Sequence, residues 1–177
     1  MSGKGGIEAA LPLLPKIDVA LVGEPTGMHP AVAEKGLMVL DGEVAGKSGH
    51  AARDEGENAI YKALPMIERL RSLSFPLTSA HLGPVKISVT QISAGTHHNV
   101  VPDMCRIVVD VRTTDAYTNE QTLEMIRQAV PFCKLTPRSV RLRPSGISEQ
   151  HPIVRPLVLT RRKPFRSPPL NAPALIP

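Results

Sequence analysis

Aromatic side chains make up only 3% of this 177-residue sequence, and tryptophan is absent. Any core must therefore be built from Leu, Ile, Val, Ala and Met. These still bring the hydrophobic fraction to 42% against 21% charged, a globular balance rather than a disordered one. Two cysteines, Cys105 and Cys133, are too few for a disulfide scaffold. No apolar run approaches the roughly 20 residues needed to cross a bilayer, which argues against a transmembrane helix and a membrane partner. The opening Met-Ser-Gly-Lys-Gly-Gly lacks the apolar centre of a signal peptide, so a reducing, cytoplasmic setting is expected.

Acidic residues are missing from the last stretch, and that explains the net charge of +5. Residues 1–150 hold 16 Lys and Arg against 16 Asp and Glu, whereas residues 151–177 hold Arg155, Arg161, Arg162, Lys163 and Arg166 and no acid. The same tail carries 7 of the 18 prolines. A nucleic-acid surface needs cations clustered on a folded face, with aromatics for stacking, and neither is visible. A basic, Pro-rich, poorly ordered end is expected instead.

Hydrophobic patterning divides the rest. Gly6 to Leu14 suits a helix stopped by Pro15, and Ile17 to Val22 reads as a buried strand broken by Gly23-Glu24-Pro25-Thr26-Gly27. Leu37 to Ala45 predicts a strand with Met38, Leu40 and Val44 on one face and Asp41 and Glu43 on the other. Asn58 can cap a helix to about Leu73 with Ile60, Ala63, Leu64, Ile67 and Leu70 inward, and Pro65 predicts a kink in it. Val85 to Ile92 and Met104 to Arg112 read as strands. The second has Cys105, Ile107, Val109 and Val111 inward, which turns Arg106, Asp110 and Arg112 away from the core. Thr118-Asn119-Glu120-Gln121 is a capping box opening a helix that Pro131 ends, and Ser139 to Leu142 can supply a last strand. The order strand, helix, strand, strand, helix, strand predicts a ferredoxin-like α+β layer.

Four places can carry chemistry. Glu24, at a strand end before Pro25, is either a carboxylate metal ligand or a solvated turn acid. Gly46-Lys47-Ser48-Gly49-His50-Ala51-Ala52 is a small-residue loop presenting one His. It is either a flexible hairpin or a donor poised for a developing oxyanion, and its spacing fails the phosphate-loop pattern. His97 and His98 are adjacent, so in extended chain they point apart and share an ion poorly, while the following Asn99 has an amide suited to an amide-bearing ligand. Arg112 is either a carboxylate fork or half of an ion pair with a neighbour. Cys105 falls on the core side, and Cys133 has no activating partner in view.

In order along the chain stand Val22-Gly23-Glu24-Pro25-Thr26, Glu34-Lys35-Gly36, Gly46-Lys47-Ser48-Gly49-His50-Ala51-Ala52, Asn58-Ala59-Ile60, Asn99-Val100-Val101-Pro102-Asp103 and Asp110-Val111-Arg112. This set resembles the metal-dependent amidohydrolases and metallopeptidases that include acetylornithine deacetylase, succinyl-diaminopimelate desuccinylase, aminoacylase and carboxypeptidase G, the first being the nearest likeness. The resemblance implies an α/β catalytic domain holding zinc or cobalt, with an inserted lid through which two chains dimerise. It divides this chain into 1–31, a partial catalytic domain, 32–145, the lid, and 146–177, the partial return of the catalytic domain. It implies that Glu24 is a metal ligand and that His50 stabilises the oxyanion in the neighbouring subunit's site. It further implies that Asn99 and Arg112 contact an N-acyl amino acid, Arg112 through its α-carboxylate. The family's other metal ligands and its general base have no counterpart here. A fragment of an arginine-biosynthetic deacetylase, inactive and without tightly bound metal by itself, is therefore expected, the alternative being a non-catalytic dimerisation module.

Overall fold

The computed structural model describes residues 6–23 and 30–154. A short helix α1 (Gly6–Ala10) runs into a 3-10 turn at Leu11–Leu13, where Pro12 lacks the N–H that would continue an α-helix. The expected strand at Ile17–Val22 does not form. The segment is irregular and Leu21 and Val22 are 74% and 73% exposed. β-favouring side chains do not make a strand without a neighbour to complete its ladder.

The body of the protein is one antiparallel sheet of four strands with two helices on one face. Strands β1 (Ala33–Glu34), β2 (Gly36–Ala45) and β3 (Gly49–His50) precede helix α2 (Ala59–Ser72). Then come β4 (Lys86–Ala94), β5 (Val100–Val101), β6 (Met104–Thr113), helix α3 (Asn119–Ala129), β7 (Lys134–Pro137) and β8 (Ser145–Gly146). The sheet order is β4-β6-β2-β7, the split βαβ arrangement expected of a ferredoxin-like layer. Two small ribbons, β1 with β8 and β3 with β5, lie outside it.

Period-2 alternation makes the sheet two-faced. Met38, Leu40, Val44, Cys105, Ile107, Val109 and Val111 are buried beneath the helices, with Ala59, Ala63, Met66 and Leu70 of α2 and Leu123 and Ile126 of α3 packed on them. Helix α2 differs from expectation in one respect. Leu64 is 55% exposed, Ile60 and Ile67 are only half-buried, and Met66 takes the inner position, which turns the buried stripe toward Ala59-Ala63-Met66-Leu70. Pro65 lies inside this helix, which continues to Ser72. Its start is capped as expected, the Ile60 N–H donating to Asn58 Oδ1 at 2.9 Å. The capping box at Thr118 and Gln121 is likewise complete.

Two strands depart from the sequence reading. Strand β4 carries a bulge between Val89 and Gln91 that resets its parity, so Ile92 rather than Gln91 stands opposite Ile107. The last strand of the four-stranded sheet is Lys134–Pro137, not Ser139–Leu142. Leu135 reaches the core opposite Gly42, and Pro137 is tolerated because β7 is an edge strand. Of the expected strand only a single bridge forms, Leu142 opposite Leu37, and residues 140–142 are otherwise held by a side chain, Asn119 Nδ2 donating to the Val140 and Leu142 carbonyls at 2.8 and 3.1 Å.

Candidate functional site

The loop bearing His50 is built by backbone proximity. The Gly46 N–H donates to Asp103 O at 2.8 Å, and Lys47 and Glu57 exchange two backbone bonds at 2.8 and 2.9 Å. A methyl group on Gly46 would collide with the Glu57 carbonyl and lie 2.9 Å from Ala59 N, so this glycine admits the chain that leads into α2. Strand β3 then pairs with β5, His50 opposite Val100, and the Ala51 N–H donates to Asn99 O at 2.9 Å. His50 and Asn99, which stand 49 positions apart in sequence, therefore share one ribbon at one end of the sheet.

The imidazole of His50 is oriented as well as placed. The Ala52 N–H donates to His50 Nδ1 at 3.2 Å, so the neutral ring carries its proton on Nε2 and offers that N–H outward. A neutral N–H donor on an exposed loop is what a partner molecule's oxyanion can use. His97 and His98 are exposed in the turn before β5, and His97 Nδ1 lies 3.0 Å from Thr96 Oγ1.

Arg112 lies elsewhere. It projects from the helix-free face near the end of β6, whereas Asn99 precedes the start of that strand. From Met104 to Arg112 the strand covers about 27 Å at about 3.4 Å per residue. One protomer therefore cannot bring His50 and Arg112 to one small ligand. The guanidinium is held by its own strand: Nε–H donates to Asp110 Oδ1 at 2.8 Å and Nη2–H to Oδ2 at 3.2 Å. Asp110 was legible in the sequence as an off-core residue and as part of the Asp110-Val111-Arg112 motif, with no role of its own. Its i, i+2 position on the same face was the available signal.

Glu24, the expected metal ligand, lies outside the described residues, as does the basic tail from Arg155 onward. Among the described residues no three His, Cys, Asp or Glu come together to hold a metal ion. Both cysteines are buried, and desolvation pushes each thiol up, away from the thiolate a metal binds. The described residues do not fit a zinc or cobalt centre, and metal chemistry is not assigned to them. Among them, too, no helix is long and apolar enough to cross a membrane.

A family model described as the peptidase dimerisation domain matches residues 32–131. The chain belongs to that family. Over 119 residues it is 37% identical to the acetylornithine deacetylase of Myxococcus xanthus, covering 62% of this chain and 31% of the relative. Over 136 residues it is 32% identical to the succinyl-diaminopimelate desuccinylase of Paracoccus denitrificans, covering 71% of this chain and 36% of the relative. A tripeptidase from Staphylococcus aureus shares the fold with a TM-score of 0.58 at 17% identity, over 74% of this chain and 36% of the tripeptidase. This dimerisation domain and its flanks thus span about a third of the length of the curated relatives they match. The wider family is the metallopeptidases and amidohydrolases that the sequence motifs resemble.

Proposed function

We propose that this chain is the lid and dimerisation unit of an N-acyl-amino-acid amidohydrolase of the acetylornithine deacetylase type, a cytoplasmic enzyme of arginine biosynthesis, and that it works as a homodimer. The observation that carries the reading is the separation of His50 and Asn99 from Arg112 along a sheet whose nine-residue edge strand β4 is open. An open edge offers a row of unpaired N–H and C=O groups. Beside it on the helix side stand the exposed side chains of Tyr61 (72%), Leu64 (55%) and Ile92 (53%), apolar surface suited to burial against a second copy.

Two β4 strands meeting antiparallel across a two-fold axis make one eight-stranded sheet. That operation lays the Ala94 end of one lid beside the Lys86 end of the other. The ribbon carrying the partner's His50 and the partner's Asn99 then arrives at the end marked by Arg112. The site so assembled has a carboxylate fork from one lid and an Nε2–H donor and an amide from the other. Arg112 anchors the α-carboxylate, the partner's Asn99 bonds the acyl amide, and the partner's His50 donates to the oxygen on which negative charge develops. The metal ion that the family resemblance implies, zinc or cobalt, would be held by residues outside the described set and would supply an activated water there. Residues 1–31 and 146–177 are read as parts of the catalytic domain, with Glu24 among its ligands. The lid alone is expected to be inactive.

Intermolecular paramagnetic relaxation tests this arrangement. A spin label on His98→Cys, in unlabelled chain mixed with ¹⁵N-labelled wild type, should broaden the Arg112 Nε–H signal, and Leu64→Glu should abolish both the broadening and the dimer in sedimentation. A concentration-independent monomer would overturn the proposal. A dimer in which Arg112 stays sharp would leave a dimerisation module without a shared site.

A further inference from the structure

The two ends of the open strand β4 carry opposite, unmatched charges. At its first residue, Lys86 is exposed and stands directly opposite Arg112 of β6 on the helix-free face. Like charges so placed repel, and the nearby acid, Asp110, has both oxygens on Arg112, at 2.8 and 3.2 Å. A third cation stands close by, since the Lys35 ammonium donates to the carbonyl of Pro84, two residues before Lys86, at 2.6 Å. Among the described residues no carboxylate pairs with Lys86.

The other end of β4 borders a hollow. A cavity of about 330 Å³ is lined there by Ser93, Ala94 and Thr96, by Ser48, and by Asp103 and Arg106 around the start of β6. Arg106 is turned to Glu43, its Nε 3.5 Å from Oε1. Asp103 is exposed, and among the described residues its carboxylate has no cation, although its backbone carbonyl accepts from the Gly46 N–H. The hollow therefore offers an ammonium one free carboxylate, with the hydroxyls of Ser48 and Ser93 beside it.

Symmetry brings the two ends together. Lys86 and Ala94 are the first and last residues of β4, so two copies pairing antiparallel along the whole strand set Lys86 of one beside the partner's Ala94. Ser93 is paired with Arg106 and faces the helix-free side as Lys86 does, a side that a two-fold axis normal to the sheet keeps in common. From there the flexible four-carbon stem of Lys86 carries its ammonium into the hollow. A slip of the pairing by two residues would move it about 7 Å along the edge. We propose that Lys86 enters the hollow of a second copy of the chain and pairs with the partner's Asp103, twice across the axis, and that these two pairs set the register of the joined sheet. The inference rests on the homodimer reading above and names what aligns that dimer. The register so fixed is the one that delivers the partner's His50 and the partner's Asn99 to Arg112.

The test is sedimentation equilibrium of the 177-residue chain at low ionic strength with two charge reversals. Lys86→Glu and Asp103→Lys each turn both attractive pairs into repulsive ones, so each should raise the dimer dissociation constant about tenfold, and less at high salt. An equimolar mixture of the two variants should recover the wild-type constant, because both pairs are attractive again in the mixed dimer. Both variants keep a net positive charge, so net charge alone predicts no recovery. For the register, ¹⁵N-labelled Asp103→Lys is mixed with Lys86→Glu chain carrying a spin label on His98→Cys, and the Arg112 Nε–H signal should broaden. Single variants as tight as wild type, or a mixture as weak as its components, would overturn the pairing. Recovery of the dimer with Arg112 still sharp would overturn the register. A wild type that is monomeric at every concentration would instead remove the homodimer reading, and the inference falls with it.

Discussion

Substituting Asn119 should separate two explanations of how the return segment after β7 is held. Asn119 is fully buried although it opens α3, and it is bonded on every side. Thr113 Oγ1 donates to its Oδ1 at 2.7 Å, and its Nδ2 donates to Val140 O at 2.8 Å and Leu142 O at 3.1 Å. Leu142 O has a second donor in Leu37 N–H at 3.0 Å, so the Val140 carbonyl and the Thr113 hydroxyl would be stranded by truncation. Three bonds at about 1 kcal/mol each put the cost of Asn119→Ala at about 3 kcal/mol. Asn119→Asp has the same shape and discriminates better. It keeps the acceptor for Thr113 but turns a carboxylate oxygen toward two carbonyl oxygens, so its cost at pH 7 should equal or exceed that of Ala. Its folded pKa would be raised above the unfolded value of about 3.9. The penalty is then present above the folded pKa and shrinks as pH falls toward 3.9, because a protonated carboxyl can donate to one carbonyl. Urea unfolding followed by far-UV circular dichroism reads this. With a slope of about 1.5 kcal/mol/M, 3 kcal/mol lowers the midpoint by about 2 M. An Asn119→Asp protein within about 1 kcal/mol of wild type at pH 7 would refute the donor-based account and leave shape as the cause.

Other outcomes follow from the same structure. Gly46→Ala places a methyl group against the Glu57 carbonyl and the Ala59 amide, so it should cost about 1–3 kcal/mol in urea and shift the amide resonances of His50 and Asn99, the residues that ribbon carries. Burial pushes the Cys105 and Cys133 thiols up, so neither should react with an aromatic disulfide at pH 8 until urea unfolds the chain, and rapid labelling of either in the native state would contradict the core assignment. The hydrogen bonds from Arg138 hold the Asp41 carboxyl below its ordinary range, so this pair stabilises the fold above the unfolded carboxyl pKa and the benefit is lost as pH falls through the folded value. Asp41→Asn should therefore flatten the acid limb of a stability–pH profile, and an unchanged limb would show that the exposed pair contributes nothing.

What was legible in the sequence was whatever a short window encodes. Met38, Leu40 and Val44 alternate with acids because one side of β2 is covered by helices and the other is not, and the Thr118–Gln121 box announces α3 by a local hydrogen-bond pattern. Parity likewise put Arg112 on the helix-free face. Strand β7 was missed because Lys134–Pro137 offers a single inward apolar residue, Leu135, whose place opposite Gly42 depends on chain about 90 positions earlier. The same limit produced a strand at Ile17–Val22, where composition favours extension but no neighbour completes the ladder. The candidate site was readable as residue types and not as an arrangement. Nothing local says that His50 lies against Asn99, that both are a strand's length from Arg112, or that Lys86 stands opposite Arg112. Those facts belong to register, which long-range pairing decides.

The smallest ribbon has a wider consequence. Strands β1 and β8 lie side by side, Ala33 opposite Gly146 and Glu34 opposite Ser145, so the chain enters and leaves the four-stranded sheet at one point, with paired Cα atoms about 5 Å apart. A polypeptide that accommodates a tight turn could accommodate everything between these strands with little change in its own path. Such a unit can be gained, lost or exchanged as a cassette, because its two antiparallel tethers meet a host chain at a single point.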